Sequence, residues 1–193
     1  MTLPKSLLLA CAALALTACT HTPAPRYYLV SGPPLAGDAG TRSGPRIGLG
    51  PIKLPDYLDR PQIVTRASDT ELDLSQAHRW AEPLSASFAR ALLAQLLAAL
   101  PNDDVVPHPW SSSTAIARQV TLDVLRFDRG ADGAFVLGAR WTLVTPDAQA
   151  AVAPHLSEIR VPTGSQDYDA LVAAANQAIA ALAKEIATAL ATP

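Results

Sequence analysis

PLSASFARALLAQLLAALP, residues 83–101, is the stretch that decides the fold. Leu84, Phe88, Leu92, Leu96 and Leu100 recur at every fourth position, and Leu93 and Leu97 widen the same stripe. That spacing gives an α-helix of about five turns one apolar face, which must be buried against a core. Pro83 suits the first helical turn, where a missing N–H has no intrahelical partner to lose, and Pro101 stops the run.

On either side of this helix the apolar period falls to two. Upstream, Tyr27–Val30 predicts a first strand, Arg46–Gly50 starts a second and Gln62–Arg66 forms a third. Glu71–Leu74 is expected to fold back on the third as a short hairpin, turning at Ser68-Asp69. Downstream, Val105–Pro109 is short and extended, because prolines bracket His108. Val120, Leu122 and Val124 alternate with polar residues, as do Phe135, Leu137, Ala139, Trp141 and Leu143, and Arg129–Gly133 between them reads as a hairpin loop. Ser157–Pro162 is a further strand. Tyr168, Leu171, Ala175, Ile179, Leu182, Ile186 and Leu190 then mark a long C-terminal helix capped at Asp167. Strands, helix, strands, helix predict a single α+β domain. Its sheet is mixed or mostly antiparallel, with two long helices packed on it.

The amino terminus carries a different signal. Lys5 precedes an apolar run, Leu7–Leu16, of the length expected for a secretory signal and too short to span a bilayer. The run ends in Leu16-Thr17-Ala18-Cys19, the bacterial lipobox pattern. Small side chains at Thr17 and Ala18 suit a peptidase pocket, and the Cys19 thiol is the nucleophile that accepts a diacylglyceryl group. The expectation is therefore a signal peptide over residues 1–18 cut between Ala18 and Cys19, a lipidated tether over 19–25 and one domain over 26–193. Acyl chains such as palmitate add about 0.8 kcal/mol per buried CH₂, so several on one cysteine anchor a protein without a transmembrane helix. Thr20, rather than Asp, after the cysteine favours the periplasmic face of the outer membrane over the inner one.

Composition narrows the function. The chain has 193 residues, with 15 Lys and Arg against 17 Asp and Glu, which excludes a strongly basic nucleic-acid binder. Its two cysteines are Cys11, in the signal, and Cys19, which leaves the mature body without a thiol for catalysis, a disulfide or a metal. Gly48-Leu49-Gly50 lacks the third glycine and the following helix of a phosphate loop. None of the four histidines sits at helical ligand spacing to another, so no metal or other cofactor is expected. No Gly-x-Ser-x-Gly elbow exists, and Asp56, Asp59, Asp69 and Asp73 read as solvated loop carboxylates. The expectation is a protein that is not an enzyme.

Two strings are more specific: Leu54-Pro55-Asp56-Tyr57-Leu58-Asp59-Arg60-Pro61, running on to Arg66, and Arg79-Trp80-Ala81-Glu82-Pro83-Leu84. Together with the lipobox and the Tyr27-Tyr28-Leu29 opening, they resemble the family of ABC-type transport auxiliary lipoproteins that includes paraquat-inducible protein C, the YmbA type. The resemblance implies a non-catalytic periplasmic lipoprotein of an MCE-type system that moves lipids between two membranes. Its implied partners are an MCE-domain tunnel protein and inner-membrane transport components. The residues it carries over are Cys19, the Asp56–Arg60 loop and Arg79-Trp80.

The loop itself admits two readings. Pro55 and Pro61 stiffen a segment presenting Tyr57 and Arg60, side chains that interfaces favour, for a partner or for copies of the chain in a homo-oligomer. Alternatively the segment satisfies itself, with Arg60 or Arg66 bridging Asp56 or Asp59 and Trp80 packed beneath. A rival function is a lipid carrier with an apolar groove between the two helices.

Overall fold

The alternating residues of 120–143 do pair, and their ladder is the spine of the sheet. The computed structural model describes residues 24–34, 42–145 and 153–191. The elements are β1 (Arg26–Tyr28), β2 (Arg46–Lys53), a 3₁₀ turn (Asp56–Leu58), β3 (Gln62–Arg66), β4 (Leu72–Trp80), α1 (Leu84–Ala99), β5 (Asp104–Pro107), β6 (Arg118–Arg129), β7 (Ala134–Val144), β8 (His155–Pro162) and α2 (Tyr168–Ala191). The eight strands form one mixed sheet, and with two helices this is the expected α+β domain.

The sheet is forked, and β6 is the stem. Along one edge β6 runs antiparallel to β7, which is antiparallel in turn to β8. Its other edge is divided. The first half, from Arg118 to Asp123, lies parallel to β2, which carries β5. At the far end Arg129 alone pairs with Thr65 of β3, which carries β4 and then β1.

Both helices pack on one face. Val120, Leu122, Val124 and Phe127 of β6 are buried there, and Phe127 meets Phe88 of α1 and Phe135 of β7 edge-on at 5.4 and 4.8 Å. A fully buried Leu, such as Leu92 or Leu182, contributes about 1.5–3 kcal/mol. Each helix ends on an arginine from a distant segment. Arg42 Nη1 donates to the carbonyls of Leu97, Leu100 and Asp103 at 3.0–3.1 Å, and Arg118 Nη1 donates to that of Leu190 at 2.6 Å. The bonds to Leu97, Leu100 and Leu190 satisfy carbonyls that a helix C-terminus leaves without intrahelical donors, and the bond to Asp103 ties down the turn after α1. At the start of α2, the Asp167 carbonyl accepts the Leu171 N–H at 3.0 Å.

Two strands are longer than their periodicity predicts. β4 continues from Leu74 to Trp80, because it is held by β3 on one side and β1 on the other rather than by a regular apolar face. β6 continues past Val124 through a bulge: Leu125 has no partner and is 51% exposed, after which Phe127 returns to the core. The slip breaks the two-residue period that marks a strand.

Gly48 and Gly50 are structural glycines inside β2. Gly50 has φ +119°, at the register shift between Leu49 and Ile52. A Cβ on Gly48 would come within 2.6 Å of the Trp110 ring. Gly48→Ala is therefore expected to cost about 1–3 kcal/mol in urea unfolding, and much less in a Trp110→Ala background. Equal costs in both backgrounds would show that the ring is not the obstacle.

Candidate functional site

The seven residues singled out between Asp56 and Trp80 do not form one site. Two of them turn inward. The 3₁₀ turn is pinned by Leu58, 2% exposed, and closed by the Leu58 N–H donating to Pro55 O at 2.9 Å. This aims the Tyr57 hydroxyl at Asp128 Oδ2, 3.2 Å away. Arg66, the last residue of β3, donates to the same carboxylate from Nη2 at 3.2 Å and Nε at 3.4 Å, and Arg126 Nε donates at 2.8 Å. The Asp128 side chain has no exposure to water. By strand alternation it lies on the face opposite Phe127, away from the helices.

Burial, and then the Asp128 charge, raise the Tyr57 pKa above its ordinary value, so the hydroxyl remains a neutral donor. The hydrogen bond to Asp128 raises that of Arg66. The expected pairing of Arg66 with Asp56 or Asp59 is thus replaced. Those two carboxylates are exposed and hydrated, whereas a buried one must be paired.

Four others converge. Asp59, Arg60, Arg79 and Trp80 line a groove of ≈ 470 Å³, joined by Tyr27 and Glu82. The strands set this up: Tyr27 stands beside Arg79 in the β1–β4 ladder, and Gln62 beside Arg79 in the β3–β4 ladder. The Trp80 N–H donates to Pro61 O at 2.7 Å, which joins the two sequence strings directly. Trp80 is buried, as the self-satisfied reading expects, while Tyr27 is 61% exposed. Glu82 is engaged by Arg90, and Asp59 shares the lining with Arg60 and Arg79. Arg79 Nε is buried and has no acceptor among the described residues. Asp56 is exposed and outside the lining. Ala18 and Cys19 lie outside the described residues.

Elsewhere the chemistry is quiet. His78 accepts or donates at Tyr28 Oη (2.9 Å) and stacks on Tyr168, and His155 stacks on Trp141 at 4.1 Å. Ser157 accepts the Trp141 indole N–H and donates to the Glu185 carboxylate. Among the described residues no group of three or more His, Cys, Asp or Glu is placed to hold a metal. The two helices pack against each other. Among the described residues, four surface grooves are each lined by at most one of the two helices.

Sequence reasoning missed Asp128 and Arg126, which follow the bulge where the readable alternation stops. The available signal was three charged residues in Arg126-Phe127-Asp128-Arg129, beside an apolar strand. Tyr27 was legible as strand but not as groove lining.

A family model described as "ABC-type transport auxiliary lipoprotein component" matches residues 27–187. The chain belongs to that family. No curated protein matches it. Among solved structures, one described as an uncharacterized protein superposes with a TM-score of 0.73 at 22% identity, covering 88% of this chain and 100% of that one. The protein XCC0632 from Xanthomonas campestris, of family DUF330, gives 0.62 at 20% identity, covering 84% and 90%. These likenesses are of fold.

Asp128→Asn would leave two guanidinium groups facing a neutral amide. Because Arg66 and Arg126 are 19% and 30% exposed, the loss should fall near the lower end of about 3–5 kcal/mol, read by denaturant unfolding. A loss below about 1 kcal/mol would mean that the arginines simply turn to water. Tyr57 also gives a pH signature. Its folded pKa lies above the unfolded value near 10.0, so its contribution is complete below that pH and is lost as pH rises through the folded value. The wild type should lose stability more steeply than Tyr57→Phe above about pH 10. Parallel curves would refute the Tyr57–Asp128 bond.

Proposed function

We propose that this transport auxiliary lipoprotein acts without catalysis at the periplasmic face of the outer membrane, where it docks or receives the tunnel protein of an MCE-type lipid transport system. In this reading residues 1–18 are removed, Cys19 carries the acyl anchor and residues 19–25 tether the domain. Family membership supports the transport role. The docking role rests on one observation: the two family-like strings meet in a groove whose Arg79 Nε has no acceptor. A buried N–H without a partner costs about 1–3 kcal/mol, which an incoming carbonyl or carboxylate would offset. Arg60 stands exposed at the same groove, and an exposed Tyr27 adds apolar contact. Assembly of several copies around an oligomeric tunnel belongs to the same reading.

The test is recovery of partners from the native envelope with the detergent-extracted, lipidated chain, identified by mass spectrometry. An MCE tunnel protein is expected with the wild type and lost with Arg60→Glu, which should shift the melting temperature by no more than about 2 °C because Arg60 is exposed. Stoichiometric lipid with no protein partner would replace this reading with the carrier. For the anchor, Cys19→Ala should be folded but found in the soluble fraction; equal membrane retention would sink that part.

A further inference from the structure

Among the described residues three strands of the sheet are bonded on one side only, and they are unequal. β1 offers three residues and β5 four, whereas β8 offers eight, His155–Pro162, paired to β7 alone. Which of its backbone groups face outward follows from two bonds. The Thr163 N–H donates to Gly133 O at 3.2 Å, continuing the β7–β8 ladder, and the Gly130 N–H donates to Ala134 O at 2.8 Å, continuing the β6–β7 ladder. Antiparallel alternation then turns the odd residues of β8 toward β7 and the N–H and C=O of Leu156, Glu158 and Arg160 toward the open edge. Pro162 there offers only a carbonyl. Among the described residues nothing pairs with these groups. Their side chains are exposed too, Leu156 at 75%.

We infer that β8 pairs antiparallel with β8 of a second copy, about a two-fold axis at Ile159. Only outward-facing residues can meet, so the register moves in steps of two. Other registers set Glu158 against Glu158 or Arg160 against Arg160, or leave these charges unmatched. With Ile159 on the axis, Glu158 faces Arg160 of the second copy, twice by symmetry, and Leu156 faces Pro162. The N–H groups of Leu156, Glu158 and Arg160 then find the carbonyls of Pro162, Arg160 and Glu158 on the other copy. Charges on an edge strand ordinarily keep strangers away, but this pair complements itself in one register. Arg160 keeps its bridge to Asp132 and already stands 3.8 Å from Glu158 of its own strand. An axis normal to the sheet leaves both helical faces on the same side. The groove of ≈ 580 Å³ between β8 and α2, lined by His155, Leu156 and Lys184, therefore adjoins the seam and adds area that one strand pair lacks.

This inference does not depend on docking at the Arg79 groove, and its test needs no partner. The mass of the full chain in detergent is followed by sedimentation equilibrium from about 1 to 100 µM. A dimer is expected, weakened about tenfold or more by Glu158→Arg or by Arg160→Glu, and restored when both replacements are made together. Glu158→Pro, which removes an outward N–H and leaves the β7 ladder its bonds, should give a folded monomer. A wild type that stays monomeric, which would leave the edge to a different protein, overturns the inference. So does an oligomer indifferent to the single replacements, or a folded double variant that fails to recover.

Discussion

Asp128 sits where β6 passes from one prong of the sheet to the other, with no exposure to water and with donors arriving from Tyr57, Arg66 and Arg126. The backbone does little at that junction: β3 meets β6 through Thr65 and Arg129 alone. Side chains take over, since Arg66 neighbours Thr65 and Asp128 neighbours Arg129. Burying the carboxylate costs several kcal/mol, and that cost is offset only while every donor is in place. The prong formed by β3, β4 and β1 therefore stands or falls as a unit with the 3₁₀ turn that carries Tyr57.

The groove depends on the same clamp at one remove. Tyr57 and Arg66 bracket Asp59, Arg60 and Pro61 in the chain, and the Trp80 N–H is bonded to Pro61 O. With its flanks tied to β6, the Asp59–Arg60 tip projects instead of collapsing onto its own carboxylates. Residues three apart in sequence thus have opposite assignments: Tyr57 secures the scaffold and Arg60 faces outward. Rigidity of this kind suits an interface, because side chains already held in place lose less entropy when a partner arrives.

Much of this was legible in the chain. The Leu84–Leu100 and Leu171–Leu190 stripes marked both helices, and the Val120–Val124 and Phe135–Leu143 alternations marked the central hairpin. Periodicity reports burial of a face, so it failed where strands are held otherwise. β4 keeps irregular polar residues because two neighbouring strands supply its bonds, and β6 changes parity at Leu125. The fork was equally hidden, since the parallel pairing of β2 and β3 with β6 joins segments far apart in the chain and leaves no local mark. The two strings that resemble the transport auxiliary family both border the groove. They could not separate Tyr57 and Arg66 from Arg60 and Arg79, because the deciding group, Asp128, lies 62 residues beyond Arg66.

Tyr27 lines the groove and also belongs to the strand that opens the described domain. It is eight residues from Cys19 along the chain. A fully extended polypeptide advances at most about 3.3–3.6 Å per residue, so an acyl chain on Cys19 would keep the groove within about 30 Å of the bilayer surface. On such an anchor the groove would lie at the membrane-proximal end of the molecule. A partner engaging the groove would then meet its contact points inside that layer next to the membrane, while the far ends of the helices could stand well beyond it.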